Sequence, residues 1–99
     1  MIRKSPSAQP HFVHVVFELP PSIWADRISL VGDFNDWNPN ATPFVQARDG
    51  AWRVDLELPA NRRFRFYYLV DGRTRADLRA DAWAAGPGRV ANSVVETRL

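Results

Sequence analysis

Ninety-nine residues with a formal net charge of +2, 45% hydrophobic and 24% charged, describe an ordinary globular chain. That length excludes a barrel enzyme with an attached module, and the composition excludes an intrinsically disordered protein. The lack of cysteine excludes disulfides and zinc–thiolate sites, and no apolar run approaches the roughly 18 residues of a membrane span.

The start, Met1 to Ser7, is basic but has no apolar segment behind it, unlike a secretory signal. Residues 1–10 are expected to be a disordered lead, and 11–99 a single domain in a cytoplasmic, reducing compartment. Eight prolines and five glycines with almost no helical periodicity favour strands joined by turns.

His11 to Leu19 reads as the first strand, with Val13, Val15, Phe17 and Leu19 on one face. Pro20-Pro21 ends it, because neither proline can donate to a ladder. Arg27 to Val31 is the second strand, closed by Gly32. Asp33 to Asp49 is a long loop with room for a short edge strand around Phe44 and Val45. Trp52, Val54, Leu56 and Leu58 alternate with charged residues, which marks a half-buried strand. Arg63 to Val70 places Phe64, Phe66, Tyr68 and Val70 inward and Arg65, Tyr67 and Leu69 outward. Asp71-Gly72 is a hairpin turn signal. Thr74 to Arg89 reads as irregular, and Val90 to Arg98 as the last strand. Trp24 and Trp52 are assigned to the core or its edge.

The run Leu30-Val31-Gly32-Asp33-Phe34-Asn35-Asp36-Trp37-Asn38-Pro39 carries the chemistry. Phe34, where the strand ends, plugs the core. Trp37 lies among polar turn formers, where an indole is costly to leave in water. Two readings stay open. A sugar ring can pack its C–H face on the indole while amides and carboxylates bind its hydroxyls; otherwise Trp37 folds back onto its own loop.

Three more blocks follow this run: Gly50-Ala51-Trp52-Arg53-Val54-Asp55-Leu56-Glu57-Leu58-Pro59, Phe66-Tyr67-Tyr68-Leu69-Val70-Asp71-Gly72 and Asn92-Ser93-Val94-Val95. Their order and spacing resemble the family-48 carbohydrate-binding module over roughly Arg27 to Glu96. That module is the early-set domain of glycogen-branching and debranching enzymes and of the AMP-activated protein kinase beta subunit. The resemblance implies an all-β, immunoglobulin-like (early-set) sandwich of two antiparallel sheets. It implies non-catalytic binding of an α-1,4-linked glucan, with no cofactor and no metal.

On the same resemblance Trp37 packs on a glucose ring and Asn92 hydrogen-bonds sugar hydroxyls, although an Asn at a strand start is also a turn residue. Tyr67 stands where the family usually has a lysine or arginine; it either contacts sugar or is an exposed cross-strand aromatic. Kinase-type members carry a second tryptophan just after the Asp-Gly turn, and Thr74 stands there instead. Trp83 either supplies a substitute plate or plugs the end of the sandwich. The expected partners are an α-glucan and a glucan-metabolising enzyme. The competing reading is a sandwich that has lost sugar binding and docks on such an enzyme or on a kinase-like complex.

Catalysis is not expected. Glycosidases need two carboxylates about 5–10 Å apart across a sugar cleft, and Asp33 and Asp36 sit in a turn motif. Asp77 and Asp81 have no recognisable acid/base setting. His11 and His14 fall on opposite faces of one strand, so they do not form a metal pair. Arg62-Arg63-Phe64-Arg65-Phe66-Tyr67-Tyr68 interleaves bases and aromatics as nucleic-acid platforms do, but strand parity buries most of those rings.

Overall fold

Strand periodicity and turn chemistry produce two antiparallel sheets packed face to face. The computed structural model describes residues 2–77, 80–85 and 91–99, and the side chains of all of these except 83–85 and 91. The first sheet has the order β1 (Ile2–Pro6), β2 (Phe12–Leu19), β5 (Trp52–Pro59), β4 (Val45–Gln46). The second has the order β3 (Ile28–Gly32), β6 (Arg63–Val70), β9 (Ala91–Glu96), β8 (Ala82–Ala85), with β7 (Arg73–Arg75) also paired to β6. This is the two-sheet sandwich expected from the strand pattern, and it is consistent with the immunoglobulin-like fold that the resemblance implies.

Alternation decides what enters the core. In β2 every second residue is buried, and Val13, Val15, Phe17 and Leu19 stand opposite Leu58, Leu56, Val54 and Trp52 of β5. From the second sheet Ile28, Leu30, Phe66, Tyr68 and Val95 meet them. Phe17, Phe66, Tyr68 and Phe44 form a chain of edge-to-face rings with centroids 5.3–5.7 Å apart. Such pairs add about 0.5–1.5 kcal/mol each beyond the area they bury. Phe34 packs against this core beside Phe17, as its place at the strand end suggests.

Three segments depart from the sequence reading. Within the expected disordered lead of residues 1–10, Ile2–Pro6 forms β1, in register with Val13–Phe17. It covers the ladder groups of β2 on the side away from β5, Ile2 packs against the core, and Lys4 Nζ donates to Asp81 Oδ2 at 2.7 Å. Within the supposedly irregular stretch 74–89, β7 turns back along β6 and β8 pairs with β9. Trp24, assigned to the core or its edge, is 93% exposed. Ile23 takes the inward position, so its neighbour points out; Trp52 is buried as expected.

A buried polar cluster pins the segment after β7. Tyr68, 1% exposed, donates its hydroxyl to Asp77 Oδ2 at 2.6 Å, and the Asp77 N–H donates to Ser93 Oγ at 2.7 Å. Burial first, then the bond to Asp77 and its charge, pushes the Tyr68 phenol far above the usual tyrosine range. The folded state therefore favours the neutral phenol. That stabilisation is complete below the unfolded tyrosine pKa of about 10 and is lost as the pH rises past it. Tyr68→Phe should cost about 1–3 kcal/mol at neutral pH by removing a bond to a buried carboxylate. It should also flatten the alkaline fall in stability, measured by urea unfolding at neutral pH and near pH 11. Equal alkaline slopes in the two proteins would show that Tyr68 ionises freely in the native state.

Candidate functional site

The site begins where β3 stops. A Cβ on the buried Gly32 would lie 2.5 Å from the Arg65 carbonyl oxygen and 2.8 Å from Phe66 Cβ, so only glycine lets β3 approach β6 this closely. The next residue then reaches across. Asp33 Oδ2 accepts the Arg65 backbone N–H at 2.8 Å, and the Arg65 guanidinium pairs with the same carboxylate, its Nη2 3.3 Å from Oδ1. Asn35 ties the loop internally: its Oδ1 accepts the Gly32 N–H at 3.1 Å, while its Nδ2 donates to Leu30 O at 2.8 Å and Thr42 Oγ1 at 3.0 Å. The two acidic and amide side chains that open the motif thus have structural work, which leaves the indole as the group on offer.

Asp36 and Trp37 both adopt left-handed backbone, with φ of 56° and 57°. That conformation suits Asp but costs a bulky residue about 1–3 kcal/mol, a strain that surrounding bonds must hold. The Trp37 N–H donates to Gly32 O at 3.0 Å. The result is a half-buried indole whose ring lies 5.7 Å from the Tyr67 ring at a tilt of 41°. Arg65 Cζ lies 5.9 Å from the Trp37 ring centroid, a cation–π arrangement worth about 0.5–1 kcal/mol at an exposed site.

Register brings in the next residue. Arg65 pairs with Val94 and Phe66 with Ser93; one residue on, Asn92 stands beside Tyr67. Phe66 faces the core, so Tyr67, Arg65 and Asn92 share the outer face. Asn92 is 5% exposed, and its buried Nδ2 has no hydrogen-bond partner among the described residues. An unpaired buried donor of this kind costs about 1–3 kcal/mol. Trp37, Tyr67 and Asn92 are therefore together. Thr74 pairs with Leu69 on the same outer face and is exposed. Trp83 lies in β8 opposite Ser93, and its side chain is outside the described residues.

Arg65 belongs to this surface and was missed as a site residue. The signal was present, since it shares strand parity with Tyr67, but its place over the indole depends on how the 33–37 loop folds. It brings a cation to the platform although Tyr67 itself is not basic. The Asp71 carboxylate accepts the backbone N–H groups of Asp26 and Arg27 at 3.0 and 2.9 Å, so it braces the entry to β3 as well as forming the turn. The interleaved rings Phe64, Phe66 and Tyr68 turn toward the core, leaving no stacked row of bases and aromatics on β6. Among the described residues, no group of His, Asp or Glu is arranged to hold a metal ion, and no helix is long and apolar enough to cross a membrane.

The family carbohydrate-binding module 48 (Isoamylase N-terminal domain) matches residues 21–84. The 1,4-alpha-glucan branching enzyme GlgB of Aquifex aeolicus is 36% identical over 61 residues, covering 57% of this chain and 10% of that protein. GlgB of Mesorhizobium japonicum is 34% identical over 68 residues, 64% of this chain and 9% of that protein. GlgB 2 of Xanthomonas campestris pv. campestris is 34% identical over 73 residues, 67% of this chain and 10% of that protein. The chain thus spans about a tenth of the length of these curated relatives.

Because Asn35 alone makes three bonds that shape the loop, Asn35→Ala should cost about 1–3 kcal/mol and shift the Trp37 indole N–H resonance. An unmoved indole signal in the folded variant would show that the loop holds Trp37 without Asn35.

Proposed function

Because the chain belongs to the carbohydrate-binding module 48 family, we propose that its role is non-catalytic binding of an α-1,4-linked glucan of the glycogen or starch type. The observation that carries this reading is the convergence of Trp37, Tyr67 and Asn92 on one outer face of the second sheet. A glucose ring laid on the Trp37 indole would lie toward Asn92, and a small shift of the side chains over its buried Nδ2 would let that nitrogen donate to a sugar hydroxyl. Tyr67 would extend the apolar plate and contribute a hydroxyl, and Arg65 would supply further donors to sugar oxygens. The curated relatives are branching enzymes acting on 1,4-alpha-glucan by name, which favours the same polymer here.

The platform is shallow, and it carries Thr74 where kinase-type members have a second tryptophan. Affinity is therefore set by few contacts and falls in the micromolar to millimolar range, about −4 to −8 kcal/mol. No metal or cofactor takes part, and the working compartment is cytoplasmic. The competing role is docking of this face on a glucan-metabolising enzyme, with sugar binding lost. Thr74 is the observation in its favour. Neither nucleic acid nor a membrane surface is proposed as a partner.

Titration with maltoheptaose and β-cyclodextrin, followed by tryptophan fluorescence or calorimetry, tests the proposal. The protein should give a saturable response, and Trp37→Ala should weaken it by about tenfold or more, as expected for loss of a stacking plate worth about 1–3 kcal/mol. A folded protein that shows no response at millimolar sugar would favour the docking role.

A further inference from the structure

Trp24 is the most exposed large apolar side chain among the described residues, yet the segment that carries it is firmly held. Ile23 beside it is buried, the Trp52 indole Nε1 donates to Ile23 O at 3.3 Å, and the Asp71 carboxylate accepts the N–H groups of Asp26 and Arg27. The backbone that carries the indole is thus held, which keeps the ring at the surface where a ligand can pack on it.

Its surroundings mix apolar and polar groups. Trp24 lines a cleft of about 390 Å³ together with Pro21, Ile23 and Ala25 on one side and Asp26, Gln46 and Asp71 on the other. A second cleft of about 270 Å³ is lined by Arg27, Asn40, Leu69 and, again, Asp71. The two clefts meet at Asp71. The second lies on the side toward the platform described above: Leu69 comes two residues after Tyr67 on the outer face of β6, and Asn40 three residues after Trp37 in the loop. Together they fall within the size range of clefts that hold small ligands, roughly 300–1,000 Å³.

We propose that Trp24 is a distal stacking plate for the same α-glucan chain, which runs from Trp37 and Tyr67 past Leu69 and Asn40, across Asp71, to the Trp24 cleft. The inference rests on the glucan-binding reading and extends it, giving this chain a preference for longer oligosaccharides. An aromatic plate beside carboxylates, an amide and a guanidinium suits a neutral polyhydroxylated ligand, whose ring faces are apolar and whose edges are hydrogen-bonding. The apolar neighbours Pro21, Ile23 and Ala25 would pack beside the C–H face of the sugar, while Asp26, Gln46 and Asp71 would meet its hydroxyls. The plate also offers a physical answer to Thr74: the second stacking contact is placed on the loop before β3 instead of after the Asp71-Gly72 turn.

The test compares maltotriose and maltoheptaose on the wild type, Trp24→Ala and Trp37→Ala, by calorimetry and by the indole N–H resonances. Trp24 is so exposed that its loss should leave the fold intact, which circular dichroism checks. The wild type should bind maltoheptaose about tenfold more tightly than maltotriose, the gain expected from one further plate. Trp24→Ala should abolish that gain while leaving maltotriose affinity within about twofold, and Trp37→Ala should weaken both sugars. The Trp24 indole signal should move with maltoheptaose and stay still with maltotriose. If Trp24→Ala keeps the full length preference while Trp37→Ala loses binding, the distal plate is overturned and the glucan-binding reading stands. If the wild type binds neither sugar, both are overturned.

Discussion

Everything on the outer face of the second sheet depends on the close approach of β3 to β6 at Gly32. Without a Cβ there, the β3 end lies against the Arg65 carbonyl, and the Asp33 carboxylate comes within reach of the Arg65 backbone N–H. That bond fixes where the chain leaves the sheet. Asn35 then closes the turn onto Leu30 and Thr42, and the loop returns as Thr42 to Phe44 along the free side of β3. Trp37 has its left-handed backbone and its position over Tyr67 because these bonds come first. The motif places one aromatic ring, and its polar residues are mostly consumed in doing so.

The two outer faces of the sandwich differ in how well they satisfy themselves. On the first sheet Arg53 bridges Glu18 and Asp49, Arg3 joins Glu18, and His14 is hydrogen-bonded to Asp55. The Arg53 hydrogen bond, outweighing the loss of hydration, holds the Glu18 carboxyl below its usual range. Such exposed pairs contribute little stability, but they pair many of the charges on that face with one another. The second sheet differs: it carries a tilted pair of aromatic rings, a guanidinium over one of them and, just beneath, an amide nitrogen without a partner among the described residues. A ligand with apolar ring faces and many hydroxyls would complete that surface.

Where periodicity was strong, the fold was legible in the sequence. The inward residues of β2, β5 and β6 and the outward place of Tyr67 follow from alternation, and the Asp71-Gly72 turn from its residue types, whereas the pairing that sets Asn92 beside Tyr67 did not follow from the sequence. The strand Ile2–Pro6 was not legible, because Ile-Arg-Lys-Ser-Pro has one apolar residue and acquires its structure only by pairing with β2. β7 and β8 escaped for the same reason: short Arg-, Thr- and Ala-containing strands are specified by their neighbours and not by an apolar pattern. Trp24 went the other way. Hydrophobicity assigned it inward, but Ile23 and Trp24 compete for one buried position after Pro20-Pro21, and composition does not say which wins. The site residues were partly readable by family resemblance. Arg65 required the loop geometry, which no local pattern encodes.

The central claim is that the outer face of the second sheet is the sugar-binding surface. Its most direct test is a residue-by-residue map of backbone amide shifts as maltoheptaose is added to the uniformly labelled chain. The account predicts saturable shifts concentrated at Gly32, Trp37, Tyr67 and Asn92, with the amides of Val16, Glu18, Arg53 and Asp55 on the opposite face unmoved. Shifts confined to that opposite face, or none at saturating sugar from a folded protein, would contradict it.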